Sequence, residues 1–273
     1  AMVAAEIRST GLSTYLQGEN FQSLRFYGHD TLWTFGQNLV LLQSIKQATY
    51  ADWNGPAWSV GAEWIAYLAL PLLAVPALLW PRVTMVACVP MALLGVYSIE
   101  AAFDGSIDVG GLYGTTRCLL EFWLGMGLLR IMRRPACATL LGHDAWLLFA
   151  VCLVMTCLHL QLADTFAVVA LAFLLMAGAG NRARASELLE SRPLRWLGDV
   201  SYAVYMIHWP LMMAVRWVWR GWRGEEFGAS FSPIVSMLVL AFAVAVVMSL
   251  AHITWRYFEL PWRRRLRGQE TLS

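Results

Sequence analysis

The sequence predicts an all-α, polytopic membrane bundle of about seven transmembrane helices. Three observations carry that reading. Of the 273 residues, 59% are hydrophobic and only 14% charged. A soluble domain carries about 25% charged residues, so too few are present to cover a water-facing surface. Apolar runs follow one another from residue 59 to residue 256 with no polar domain or internal repeat between them. The 14 tryptophans fall largely at the ends of those runs, where an indole sits with its apolar body inward and its N–H toward the headgroups. Trp58, Trp80, Trp146, Trp196, Trp219 and Trp262 are read as such belt residues.

The expected spans cover 59–80, 82–103, 113–131, 138–160, 164–180, 199–219 and 233–256. Pro71 and Pro76 lie inside the first, which predicts a kink there. The fifth is short and ends at Gly178 and Gly180. Residues 1–57 are polar and mixed and form an extracytoplasmic or interfacial segment. Within it, Leu32, Phe35, Leu39 and Leu42 recur at helical spacing, as in an amphipathic surface helix. The bundle is expected over 58–262 and a cytoplasmic tail over 263–273.

Basic loops stay in the cytoplasm. Arg130, Arg133 and Arg134 mark one such loop, Arg182, Arg184, Arg192 and Arg195 a second, and Arg263, Arg264, Arg265 and Arg267 the tail. The intervening turns carry Asp104, Asp108 and Asp164. This alternation places the N-terminal segment outside and the C-terminus inside, against one dissenting loop with Arg216, Arg220 and Arg223. A natural protein that starts in the cytoplasm would then have an odd number of helices before residue 1.

The net charge of +2 gives nucleic-acid binding no support. Cys88, Cys118, Cys137, Cys152 and Cys157 form no CxxC pair and read as small buried hydrophobes. No metal site is expected, and motifs for phosphate loops, zinc proteases and nucleophile elbows are missing.

Ionisable groups inside a membrane are expensive and mark functional sites. Three places stand out. In Asn54-Gly55-Pro56-Ala57-Trp58-Ser59, a turn leads into a helix with Ser59 as the expected N-cap and Glu63 on its first turns. Glu63 either offsets the positive helix terminus or faces an enclosed polar cavity. Arg117 and Glu121 share a helix face at i, i+4, as a structural ion pair or as a cationic site that Glu121 orients. Ser201, Tyr205 and His208 share another face and should point into the bundle. His252, Arg256 and Glu259 form a similar series at the last cytoplasmic end, where Pro261 is expected to stop the helix.

Together these residues resemble the membrane acyltransferase 3 family, whose members O-acylate bacterial surface sugars and related molecules. The resemblance rests on Asn54, Pro56, Trp58, Ser59, Glu63 and Tyr67; on Arg117, Glu121, Phe122 and Gly125; on Leu197, Gly198, Ser201, Tyr202, Tyr205, His208 and Pro210; and on Glu259 and Pro261. Asn38, Leu41 and Gln43 resemble the stretch that precedes the first motif. The resemblance implies, by fold-level analogy, about ten helices with both ends in the cytoplasm, three of them upstream of this chain. The family's presumed catalytic histidine and an arginine pair thought to meet the acyl donor match no residue here.

The function so implied is transfer of an acyl group, often acetyl, from acyl-CoA to a hydroxyl of a lipid-linked or surface carbohydrate in the bacterial cytoplasmic (inner) membrane. Acyl-CoA enters as co-substrate, and no tightly bound cofactor is expected. The resemblance gives catalytic roles to Glu63 and His208. Substrate binding is expected of Asn54, Trp58, Ser59, Arg117, Glu121, Ser201, Tyr202 and Tyr205, with Arg117 holding an anionic group. The rival readings are a transporter or flippase of a polar solute, which would show broken helices in two related halves, and an inactive fragment of the enzyme.

Overall fold

A computed structural model describes residues 32–45 and 53–267. Most of the N-terminal segment, and the tail beyond residue 267, lie outside the described residues. Helices and their connections account for the described chain, and no strand occurs among those residues. They divide into two compact units, taken in turn.

The first unit comprises 36–45 and 57–190. Helix α1 (Leu32–Leu39) leads into a one-turn 3-10 helix, Leu42–Ser44. The expected amphipathic helix is therefore shorter than its leucine spacing. Leu41, with φ 59° and ψ 29°, is left-handed and breaks it before Leu42. Then come α2 (Ala57–Leu79), α3 (Pro81–Ala102), α4 (Gly111–Met132), α5 (Pro135–Leu140), α6 (Asp144–His159), α7 (Asp164–Gly180) and α8 (Arg184–Leu189). Helix α4 is central: α2, α3, α7 and the 3-10 turn all pack on it.

The side chains in those seams are small. Ala62 and Ala66 of α2, and Cys88, Ala92 and Val96 of α3, are buried. A Cβ on Gly127 would stand 3.1 Å from that of Cys88. Large apolar residues point outward instead, Leu72 and Leu78 being 75% exposed. Small residues inside and leucines outside reverse the soluble pattern. They suit helices that associate by close packing in lipid.

Polar groups tie the helix ends together. The Glu100 carboxylate accepts from the Asp164 and Thr165 amides and from the Thr165 hydroxyl. It thereby satisfies orphan donors at the start of α7. Asp164 in turn accepts from the Ile107 amide at 3.0 Å. At the start of α6, Asp144 Oδ1 accepts from Asn181 Nδ2 and from the Ala185 amide, both at 3.0 Å.

The second unit comprises 32–35, 53–56 and 191–267. Helix α9 (Arg192–Arg223) packs along α10 (Pro233–Thr254). Val200, Ala203 and Ala251 form the buried centre, flanked by Trp196, Val204, Ile207, Met248 and Trp255. Gly224, with φ 72°, closes α9 by a bond to the Arg220 carbonyl. Phe35 meets Trp53 edge to face at 5.2 Å.

Every expected span coincides with helix, but the boundaries differ. The fourth starts at Asp144 rather than 138, because a turn after α5 interrupts it. The sixth is longer at both ends. Helix α2 runs on through Pro71 and Pro76. Two stretches, Ala57–Pro76 and Pro233–Leu266, are long and apolar enough to cross a membrane. Ala87–Ala102, Asp144–His159 and Asp164–Gly180 are apolar but shorter.

Pro261 does not stop the last helix. A π turn, Trp255–Glu259, carries α10 into α11 (Leu260–Leu266). Proline lacks an N–H, and widening the preceding turn absorbs the lost hydrogen bond. Two of the expected belt tryptophans also have partners within the fold. Trp196 donates Nε1–H to His252 Nδ1 at 3.0 Å. Trp58 lies against α4, where a Cβ on Gly114 would be 2.6 Å from its ring. Trp80 and Trp262 are exposed, as a belt requires.

Candidate active site

The first unit gathers Trp58, Ser59, Glu63, Arg117 and Glu121 onto two packed helices, α2 and α4. Helix α2 begins at Ala57, so Ser59 sits in its first turn and is not the N-cap. The Pro56 ring, with its φ fixed near −65°, lets the chain enter the helix two residues earlier. That register sets the half-buried Glu63 one turn before Tyr67. The Tyr67 hydroxyl donates to Glu63 Oε1 at 2.5 Å. The Tyr67 ring packs edge to face on Phe122, centroids 5.5 Å apart.

Phe122 follows Glu121, and Glu121 Oε1 lies 3.4 Å from Arg117 Nε. Arg117 also donates through Nη1 to the Ile107 carbonyl, in the loop between α3 and α4. The guanidinium is therefore held from two sides, by its own helix and by that loop. The i, i+4 spacing predicted the ion pair; the loop carbonyl was not readable from spacing.

Residues that the spacing did not single out complete this seam. Gly61 admits the 3-10 turn: a Cβ there would stand 2.5 Å from the Leu41 carbonyl oxygen and 2.8 Å from Ser44 Oγ. Thr115 Oγ1 donates to the Ser44 carbonyl at 3.0 Å. The only sequence signal for these contacts is a glycine inside each of two apolar helices, Gly61 and Gly114, which marks close approach of a neighbour.

The second unit holds Asn54, Ser201, Tyr202, Tyr205 and His208. Asn54 Nδ2 donates to the Met206 carbonyl at 3.2 Å. The Tyr205 hydroxyl donates to the Pro56 carbonyl at 2.8 Å. Motifs about 150 residues apart in sequence are thus tied together by two long-range bonds. Ser201 Oγ donates back to the Gly198 carbonyl at 2.8 Å. His208 Nδ1 lies 3.2 Å from the Val204 carbonyl. Donation there places the proton on Nδ1 and leaves Nε2 as the acceptor. Its ring lies 5.8 Å from that of Tyr205. Tyr202 is exposed.

A family model, described as an acyltransferase domain and numbered as the third acyltransferase family, matches residues 24–252. The chain belongs to the membrane acyltransferase 3 family. The match covers all ten of the residues named above as catalytic or binding candidates. Together with the apolar helices, it marks this acyltransferase as a membrane protein. No curated protein and no solved structure matches the chain. In the acyltransferase, His252 accepts the Trp196 indole N–H, and Glu259 pairs with Arg263 at 3.5 Å. Both take structural partners.

Proposed function

We propose that the chain carries the acceptor side of a membrane O-acyltransferase. It moves an acyl group, acetyl in the simplest case, from acyl-CoA to a hydroxyl of a cell-surface carbohydrate. On this reading seven helices cross the bacterial inner membrane, with the polar segment before α2 outside and the arginine-rich tail in the cytoplasm.

The observation that carries the reading is the α2/α4 seam, in a chain matched by the acyltransferase family over most of its length. That seam holds a hydrogen-bonded carboxylate, Glu63, and an oriented guanidinium, Arg117. A hydroxyl is a poor nucleophile until a base takes its proton. In the reaction the acceptor oxygen bonds the thioester carbonyl carbon, the C–S bond breaks, and the thiolate leaves with CoA. Glu63 orients the hydroxyl or takes its proton, with Tyr67 fixing the carboxylate. Arg117 holds an anionic group or the developing oxyanion. His208 offers Nε2 as an acceptor in the tautomer above. The partners of the protein are then acyl-CoA, the carbohydrate acceptor and the bilayer.

The test is transfer of label from radiolabelled acetyl-CoA to membrane glycolipid or polysaccharide, in membranes containing the full natural protein. Loss of transfer with Glu63→Gln at equal protein level supports the reading. Wild-type transfer by that variant removes Glu63 from the chemistry. Counterflow of a labelled solute without any acyl transfer replaces the enzyme by a transporter.

A further inference from the structure

The C-terminal end of α9 differs from the rest of that helix. From Val200 to Val215 it carries no Asp, Glu, Lys or Arg. Its last two turns then set Arg216, Arg220 and Arg223 among Trp217, Trp219 and Trp222. These are the arginines that dissent from the charge rule. Crossing about 30 Å of hydrocarbon takes about 20 residues at about 1.5 Å each. Counted from Val200, that length brings Trp219 to the hydrocarbon edge. Arg223 then stands about 6 Å further on, among the lipid headgroups.

The three arginines are not equivalent. Glu226 takes two of them, Arg216 Nη2 at 3.2 Å and Arg220 Nη1 at 3.0 Å. Arg223 has no ion pair among the described residues. Its partners are rings: Cζ lies 5.7 Å from the centroid of Trp219 and 5.7 Å from that of Trp222. The two indoles stand edge to face, 6.0 Å apart. Trp219 meets Phe227 and Phe231 in the same way, at 5.4 Å each, and those two rings meet at 5.3 Å. Gly224, left-handed at φ 72°, turns the chain directly after Arg223. Arg223 is thus held on an aromatic platform while remaining exposed. Contact with rings fixes a guanidinium and leaves its N–H fork for a bidentate acceptor. Stabilising the negative end of the helix needs only a cation in the last turn, and Arg220 already supplies one.

We propose that Arg223, on its Trp219 and Trp222 platform, binds the phosphodiester of an anionic bilayer lipid, phosphatidylglycerol being the simplest. The inference goes beyond the acyl-transfer reading and uses only the proposed passage of α9 through the bilayer. The ligand class follows from charge and shape. Three arginines against Glu225 and Glu226 leave one net positive charge over residues 216–226. One phosphodiester matches it, through two parallel N–H···O bonds. A diphosphate, as in CoA or a polyprenyl carrier, would bring at least two negative charges to one unpaired guanidinium. Phosphatidylethanolamine carries an ammonium beside its phosphate, which the surplus charge repels. A glycerol headgroup carries none. Trp217 and Trp222, 67% and 76% exposed, together with the exposed Val215 and Val218, offer the lipid an apolar flank below its phosphate.

The experiment measures thermal unfolding of the detergent-solubilised full natural protein. It compares micelles doped with phosphatidylglycerol, micelles doped with phosphatidylethanolamine, and plain micelles with inorganic phosphate. The proteins are wild type, Arg223→Gln and, in the exposed arginine run of α11, Arg264→Gln. Phosphatidylglycerol should raise the wild-type melting temperature by about 2–4 °C over phosphatidylethanolamine. Inorganic phosphate should give no shift. Arg223→Gln should lose most of the lipid difference, and Arg264→Gln should keep it.

Equal loss in the two variants makes the effect a general attraction of anionic lipid to arginines and overturns the proposal. Equal melting in the two lipids overturns it, and so does a shift that inorganic phosphate reproduces. A uniform drop of Arg223→Gln in every micelle, with the lipid difference intact, leaves the arginine as a helix-end brace and overturns it as well. If Arg223→Gln does not fold, Arg223→Lys replaces it. Lysine keeps the charge and loses the fork, so the lipid difference should shrink; an undiminished difference overturns the proposal. Label transfer from acetyl-CoA scores the reaction separately. Transfer without an Arg223-dependent lipid shift removes the lipid site alone. The shift without transfer keeps the lipid site and removes the enzyme reading.

Discussion

The family-motif residues of the two units use their polar groups differently. In the first, motif side chains meet one another, Tyr67 on Glu63 and Arg117 on Glu121, with Arg117 reaching the Ile107 carbonyl as well. In the second, the corresponding motif residues bond backbone carbonyls. Asn54 bonds Met206, Tyr205 bonds Pro56, Ser201 bonds Gly198, and His208 lies on Val204. A side chain committed to a carbonyl fixes the path of the chain. A side chain paired with another can exchange that partner for a ligand. Under the proposed function, the difference favours the α2/α4 seam for the chemistry and gives α9 the work of holding the loop at Asn54 and Pro56.

The largest effect should fall on the seam. Glu63→Gln keeps the shape and removes the charge, so transfer should drop by about a hundredfold or more, the range of a lost acid–base group. Initial rates in membranes at matched protein level check this. Arg117→Ala should lose about a hundredfold, as when one oxyanion donor is removed. Full activity with normal expression would reduce the ion pair to a structural one.

A packing test comes next. Gly61→Val pushes a branched side chain into the Leu41 carbonyl and Ser44. Overpacking of this kind costs about 1–3 kcal/mol, read as a lower melting temperature in detergent. A neutral outcome would mean that the turn is not clasped as described. The smallest effect belongs to the second unit. Tyr205→Phe removes one hydrogen bond to Pro56 and should cost about 1 kcal/mol of stability. Its effect on transfer should track that loss. A fall in kcat at unchanged melting temperature would move Tyr205 into the chemistry and blur the contrast between the units.

Much of this was legible in the residues. Low charge and long apolar runs gave the helices, because a bilayer forces every span into one hydrogen-bonded form. The i, i+4 spacing of Arg117 and Glu121 gave the ion pair, since helix geometry brings those positions together. Tertiary choices were not legible. Trp196 looked like an interfacial tryptophan, and only the fold shows that its indole N–H donates a hydrogen bond to His252. Ser59 looked like a cap until Pro56 moved the helix start. Pro261 looked like a stop, because a π turn leaves no local signature.

The continuous helix from Pro233 to Leu266 has a mechanical consequence. Its 34 residues extend about 50 Å at about 1.5 Å each, against about 30 Å of hydrocarbon. If the helix spans the bilayer as proposed, the surplus carries Arg263, Arg264 and Arg265, with Arg267 just beyond, clear of the oil. Sliding the helix inward would drag guanidinium groups into hydrocarbon, at about 2.5–3.5 kcal/mol each by insertion scales. Sliding it outward would strip lipid from Met237 and Phe242, each 72% exposed on the flank. Under the proposed topology the helix works as a plumb line that fixes immersion depth for α9, which packs along it.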